Sequence, residues 1–154
     1  MIGSVFKLAF LILIAAPSAL SGEVFPGPYS GEVVRIIDGD TFEARIGIWP
    51  NVEAVVSVRI RGFDAPELFR PNCEEERLQA ALAKSTLEDL LPSGQEILLV
   101  NVEEGSFSGR IVSTVERVAE TNAVDLGILL ERRGFVRWEP GDPEIAWCAH
   151  PTPD

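Results

Sequence analysis

The chain has 154 residues, 46% of them hydrophobic, which suits one domain with a core and excludes global disorder. Its formal net charge is −11. An acidic chain is not expected to hold nucleic acid by its overall field, so any such site must be a local positive patch helped by a bound cation. The acidity also has an ordinary reading, as a means of staying soluble.

In chain order, the first element is a leader. Lys7 precedes the apolar run Leu8 to Ala16, and small residues follow in Pro17-Ser18-Ala19-Leu20-Ser21. A positive start, a short apolar stretch and a small-residue cleavage site predict a secretory signal over residues 1–21, cut after Ser21. The alternative is an uncleaved anchor, but the run is shorter than the roughly 20 residues that span a bilayer. No other segment reads as a membrane span. Lys7 is the only charged residue in 1–21, so removing that segment takes the net charge from −11 to −12. The mature chain is expected to be exported, periplasmic or secreted, off the membrane and monomeric.

Residues 22–30, with Phe25-Pro26-Gly27-Pro28, read as a linker. A first strand follows, with Val34 and Ile36 on one face and Val33 and Arg35 on the other. The second strand runs from Thr41 to Ile46, with Phe42, Ala44 and Ile46 on one face. Asp38-Gly39-Asp40 lies between them as a tight turn, since Asp-Gly favours hairpin geometry. Gly47 to Glu53 reads as a loop, and the third strand spans Val55 to Gly62 with Val56, Val58 and Ile60 inward.

Glu74 to Leu91 has helical spacing in Ala80, Ala83, Leu87, Leu90 and Leu91, acids in its first turn, and Pro92 and Gly94 as stops. Strands are predicted at Glu96 to Val102 and Arg110 to Val118, then a second helix over Val124 to Arg133 ending at Gly134. The tail 139–154 is rich in proline and reads as irregular. Five short strands with two or three helices fit a mainly β (α+β) fold, the partly open OB-fold barrel, over residues 31–138.

Two acidic clusters stand at strand ends. Asp38 and Asp40 sit in the first turn, and Asp64 and Glu67 lie just past the third strand. A meander of three strands would bring them together, and carboxylates with backbone carbonyls suit a hard cation. Each cluster alone is also an ordinary loop. Arg59 points away from the core face of its strand, and Arg110 opens the second arm of a later hairpin. Two guanidiniums, a cation site and a spare carboxylate make a phosphoryl-transfer set.

Cys73 and Cys148 are the only cysteines. In an oxidising compartment a lone pair is most simply one disulfide, worth on the order of 4 kcal/mol for a loop of about 75 residues. A metal site on Cys148 and His150 is the alternative, short of the usual four ligands.

Taken together, Ile37-Asp38-Gly39-Asp40-Thr41, Val58-Arg59-Ile60-Arg61-Gly62-Phe63-Asp64-Ala65-Pro66-Glu67 and Gly109-Arg110 resemble the staphylococcal-nuclease (thermonuclease) family in order and spacing. The resemblance covers Gly31 to Trp138. It implies an OB-type barrel that hydrolyses DNA or RNA with Ca²⁺, leaving 3′-phosphate ends. By position, Asp40, Asp64 and the carbonyl of Ala65 would be metal ligands, with Asp38 and Thr41 supporting them. Glu67 would act on the attacking water, and Arg59 and Arg110 would grip the phosphate.

Ala65 stands where the family usually has threonine. Ser106-Phe107-Ser108-Gly109-Arg110 replaces an Asp-Lys-Tyr-Gly-Arg hairpin, leaving Phe107 as a candidate stacking face for a base. Asp125 is expected to hydrogen-bond at the start of the last helix. The cysteines resemble those of an exported bacterial subgroup, which implies a Cys73–Cys148 disulfide pinning the tail beside the first helix. Besides the nuclease, a catalytically weak OB-fold module holding calcium or a protein partner stays open. A serine hydrolase does not fit, since no nucleophile-elbow motif is present and the only histidine is His150.

Overall fold

A computed structural model describes residues 22–106, 109–137 and 145–148. The element order is β1 (Tyr29–Ile36), β2 (Thr41–Trp49), β3 (Val52–Ile60), α1 (Glu74–Leu90), β4 (Glu96–Glu104), β5 (Arg110–Val118), β6 (Ala123–Asp125) and α2 (Leu126–Arg132). β1, β2 and β3 form an antiparallel meander, and β4 pairs with both β1 and β5. A parallel pairing of β3 with β5, Ser57 opposite Arg110 through Ile60 opposite Ser113, closes the five strands into a barrel. Closure removes the unpaired edges an open sheet would expose. With two helices among the described residues, the architecture is a mainly β, OB-fold-like barrel.

The barrel is filled by the inward positions of its strands. Phe42, Ala44, Val58 and Ile60 meet Ile97, Leu99 and Val115, all at most 2% exposed. α1 lays Ala80, Ala83, Leu87 and Leu90 against this core, with Leu91 just past its end, and α2 adds Leu126 and Leu130. These leucines recur at helical spacing, so one face of each short helix is apolar and needs the barrel to cover it.

The strands depart from simple alternation in two places. Val33 pairs with Ala44 but Arg35 pairs with Glu43, so Val34 is an extra residue in a β-bulge. The bulge resets the phase, and Val33 and Ile36 are the core residues of β1 in place of Val34 and Ile36. The expected Gly47 to Glu53 loop is mostly strand: β2 continues to Trp49 and β3 starts at Val52. Asn51 takes the left-handed conformation (φ 66°) in the turn between them, which asparagine tolerates better than most residues.

Two segments differ in kind from the expectation. Residues 22–30 are not a free linker, because Phe25 and Val102 exchange backbone hydrogen bonds of 2.7 and 2.8 Å and β1 begins at Tyr29. The second helix starts at Leu126, and Ala123–Asp125 pair with β5 as β6. The Asp125 side chain caps that helix, accepting from the Gly127 N–H at 2.6 Å. Among the described residues no helix is long and apolar enough to cross a membrane. The leader at 1–21, Phe107, Trp138 and His150 lie outside the described residues.

Candidate functional site

The β1–β2 turn carries the first acidic pair. The Ile37 and Asp38 N–H groups both donate to the Thr41 carbonyl, at 2.9 and 3.1 Å, and the Asp40 N–H donates to Asp38 Oδ1 at 3.1 Å. The turn is tight because α1 and the 64–66 segment press on it. A Cβ built on Gly39 would lie 2.6 Å from Ala83 Cβ and 2.8 Å from Ala65 Cβ. Gly39 therefore serves close approach, since its φ is not positive. The Asp-Gly pattern by itself points only to hairpin chemistry.

β3 delivers the second acidic group and the first arginine beside this turn. Arg59 stands opposite Thr41 in the β2–β3 register, and the Ile60 N–H donates to the Asp40 carbonyl at 2.9 Å. The chain turns out of the strand at Gly62 (φ 76°), and Asp64 follows. The Arg59 guanidinium bridges the two acids. Nη1 lies 2.9 Å from Asp40 Oδ2, and Nη2 donates to Asp64 Oδ1 at 2.6 Å. The Ala65 N–H donates to Asp40 Oδ2 at 3.0 Å and the Thr41 hydroxyl to Asp40 Oδ1 at 2.6 Å.

Closure of the barrel brings in the second arginine. The β3–β5 pairing sets Arg110 opposite Ser57, two residues before Arg59, although 51 positions separate the arginines in the chain. Arg110 is half-buried and follows Gly109, another left-handed glycine (φ 77°). Asp38, Asp40, Arg59, Asp64, Ala65, Glu67 and Arg110 line one cavity of about 280 Å³ together with Pro66 and Leu68. Thr41 is buried behind it, acting on Asp40 through its hydroxyl. Glu67 is exposed at the rim, and its Oε1 accepts from the Phe69 N–H at 2.7 Å.

Asp40 dominates the electrostatics. It is 3% exposed, and burial raises its carboxyl to about 7 against the opposing pull of the Arg59 guanidinium, with nearby Asp38 adding to the rise. One guanidinium shared between two acids does not fully compensate the buried carboxylate. That uncompensated charge, beside the oxygens of Asp40 and Asp64 and with no sulfur or imidazole among the described residues of the cavity wall, is of the kind that suits a hard divalent cation.

A larger cavity of about 760 Å³ opens elsewhere, between the ends of β1, β4 and β5, walled by Glu32, Glu53, Glu96 and Arg45 among others. There Arg45 is taken up by Glu32 and Glu53, at 3.9 and 3.5 Å, and size alone does not make a site. Cys73 and Cys148 form a disulfide with a Cα–Cα distance of 6.1 Å, joining the start of α1 to the tail. Both sulfurs are thereby consumed, so neither the Cys148 metal alternative nor the neighbouring Glu76 has thiolates to work with. A disulfide is compatible with an oxidising, exported location.

Sequence reading missed Gly39 as a packing glycine and Glu76 as a buried acid at 3% exposure. Only Glu76's place on the Ala80–Ala83–Leu87 side of α1 could have pointed to it. No protein-family model matches the chain, and no curated protein matches it either.

Proposed function

We propose that the chain is an exported, calcium-dependent phosphodiesterase of the staphylococcal-nuclease type, cutting DNA or RNA at the cavity at the end of β3. The carrying observation is the convergence of Arg59, Arg110, Asp40, Asp64 and Glu67 on one cavity wall. A phosphodiester needs cationic groups for its anionic oxygens and a carboxylate for the attacking water, and the cavity offers both.

In this reading Arg59 and Arg110 hold the scissile phosphate from two sides, each with a planar fork suited to two phosphate oxygens. Their charge is complementary to the transition state more than to the ground state, because negative charge builds on those oxygens as water attacks. Glu67, at the rim, orients the water and takes its proton, and the water adds in line with the departing oxygen. Asp40 and Asp64 would hold the cation, and Asp38 and Thr41 keep Asp40 in place. When bound, the cation supplies Lewis-acid stabilisation of the phosphate oxygens. Arg59 is shared with two carboxylates, so a phosphate competes for it with both.

The charge of −11 and the tied Arg59 favour a second reading, a cation-holding module without useful turnover. Cleavage of single-stranded DNA and RNA separates the two. The oxidised protein lacking residues 1–21 is assayed with Ca²⁺ or with chelator, beside Glu67→Ala and Arg110→Ala. Calcium-dependent cleavage lost in both variants supports the phosphodiesterase. A folded protein that binds Ca²⁺ but cleaves no faster than its variants is the module.

A further inference from the structure

Four polar or charged side chains are buried among the described residues: Asp40, Thr41, Ser113 and Glu76. Asp40 and Thr41 belong to the cavity. The Ser113 hydroxyl lies against the Val100 and Thr114 carbonyls in the barrel wall. Glu76 has neither job. It lies in the first turn of α1, where an acid normally faces water and the helix dipole alone explains it.

Its hydrogen bonds say what it holds. Oε1 accepts the Glu67 N–H at 3.2 Å, and Oε2 accepts the Asn72 N–H at 2.5 Å and the Asn72 side-chain amide at 3.0 Å. One buried carboxylate thus ties down both ends of the loop that Glu67 opens. Between those ends the loop closes on itself, with the Phe69 and Arg70 N–H groups donating to Glu67 Oε1. Among the described residues no guanidinium or ammonium pairs with Glu76; the neighbouring Arg77 pairs with Glu74. The N–H donors, that of Asn72 first, hold its carboxyl below the usual range. Both oxygens are therefore acceptors at neutral pH.

Glu76 is itself held firmly. Its own N–H donates to Cys73 Sγ at 3.4 Å, and Cys73 caps α1 and is bonded to Cys148. Capping is thus done by Cys73, which leaves the Glu76 carboxylate for the loop. A glutamine could not replace it, because its amide would set a donor against one of the two N–H groups.

We propose that Glu76 is the positioning residue for Glu67, fixing the 67–72 loop so that the Glu67 carboxyl stays at the cavity that Arg59 and Arg110 share. The inference rests on the phosphodiesterase reading, in which Glu67 handles the attacking water. α1 then supports the site twice, through Ala83 against the Gly39 turn and through Glu76 under Glu67.

The test compares wild type, Glu76→Gln, Glu67→Ala and the double variant by steady-state cleavage of single-stranded DNA at saturating Ca²⁺, with amide exchange at Glu67 and Asn72 followed by NMR. Glu76→Gln should lower kcat by about 10²-fold with KM little changed, and should speed exchange at both amides. In the Glu67→Ala background the same substitution should lower kcat no further, because its effect runs through Glu67. If Glu76→Gln does not fold, Glu76→Asp replaces it, keeping the charge on an arm too short to reach both N–H groups. Equal losses in both backgrounds, or wild-type kcat with the two amides released, overturn the proposal while leaving the phosphodiesterase standing. A wild type that cleaves nothing overturns both.

Discussion

In the proposed cation site, Asp40 would tie binding to pH. Burial raises its carboxyl to about 7 in the fold from an ordinary value of 3.8. Between those values the folded state holds a proton that the unfolded state has released, so this group's contribution to stability falls as pH rises from about 4 to about 7. Outside that window it is flat. Three units correspond to on the order of 4 kcal/mol, a magnitude allowed by a side chain only 3% exposed. A cation needs the ionised form, so binding below about pH 7 must expel this proton. The apparent dissociation constant for Ca²⁺ should then be about 30-fold weaker at pH 5.5 than at pH 8. Calorimetric titration in buffers of different ionisation enthalpy reads the released proton directly. Denaturant unfolding in chelator gives the other half, because wild type should lose stability relative to Asp40→Asn as pH rises from 4 to 8. Parallel curves for the two proteins, or a Ca²⁺ affinity indifferent to pH, would refute the reasoning.

Three further outcomes follow from particular contacts. Gly39→Ala should destabilise the fold by about 1–3 kcal/mol and weaken Ca²⁺ binding, since the new methyl meets Ala83 and Ala65 at 2.6 and 2.8 Å; an unchanged urea midpoint would show that the turn has room. Arg59→Lys should slow cleavage by about 10²-fold or more, because an ammonium cannot reproduce the two-sided bridge to Asp40 and Asp64; turnover within a few-fold of wild type would remove Arg59 from phosphate binding. Replacing Cys148 with alanine opens a loop with a separation of 75 residues and should cost about 4 kcal/mol in the chain-entropy model. An unchanged melting temperature would show that the tail adds nothing to stability.

Local patterns were legible where a single element decides them. Phe42, Ala44 and Ile46 alternate over an uninterrupted stretch of β2, and Ala80, Ala83, Leu87 and Leu90 repeat at helical spacing before Pro92. Periodicity there reports burial directly. It misled at Val34, where the bulge is set by how β1 must meet β2 on one side and β4 on the other. It misled again at Val124 and Asp125, where pairing with β5 overrides helical spacing.

The residue types of the candidate site stood in the sequence: four carboxylates at two strand ends and two arginines. Their assembly did not. Arg110 reaches the cavity only because β5 lies parallel to β3, a pairing between strands separated by a helix and another strand. Nothing in Asp-Gly-Asp distinguishes a glycine required by hairpin geometry from one pressed between Ala65 and Ala83. The sharing of one guanidinium by Asp40 and Asp64, and the burial of Glu76 beneath Glu67, arise from long-range packing. By itself the sequence determined the cores of the five barrel strands and of both helices, and which chemical groups the chain can offer, because both depend on near neighbours along the chain; the ends of β2 and β3 and the whole of β6 depend on distant partners. Tertiary structure alone decided which groups meet and at what charge, because closing the barrel sets distances, and burial against α1 sets the environment in which Asp40 ionises.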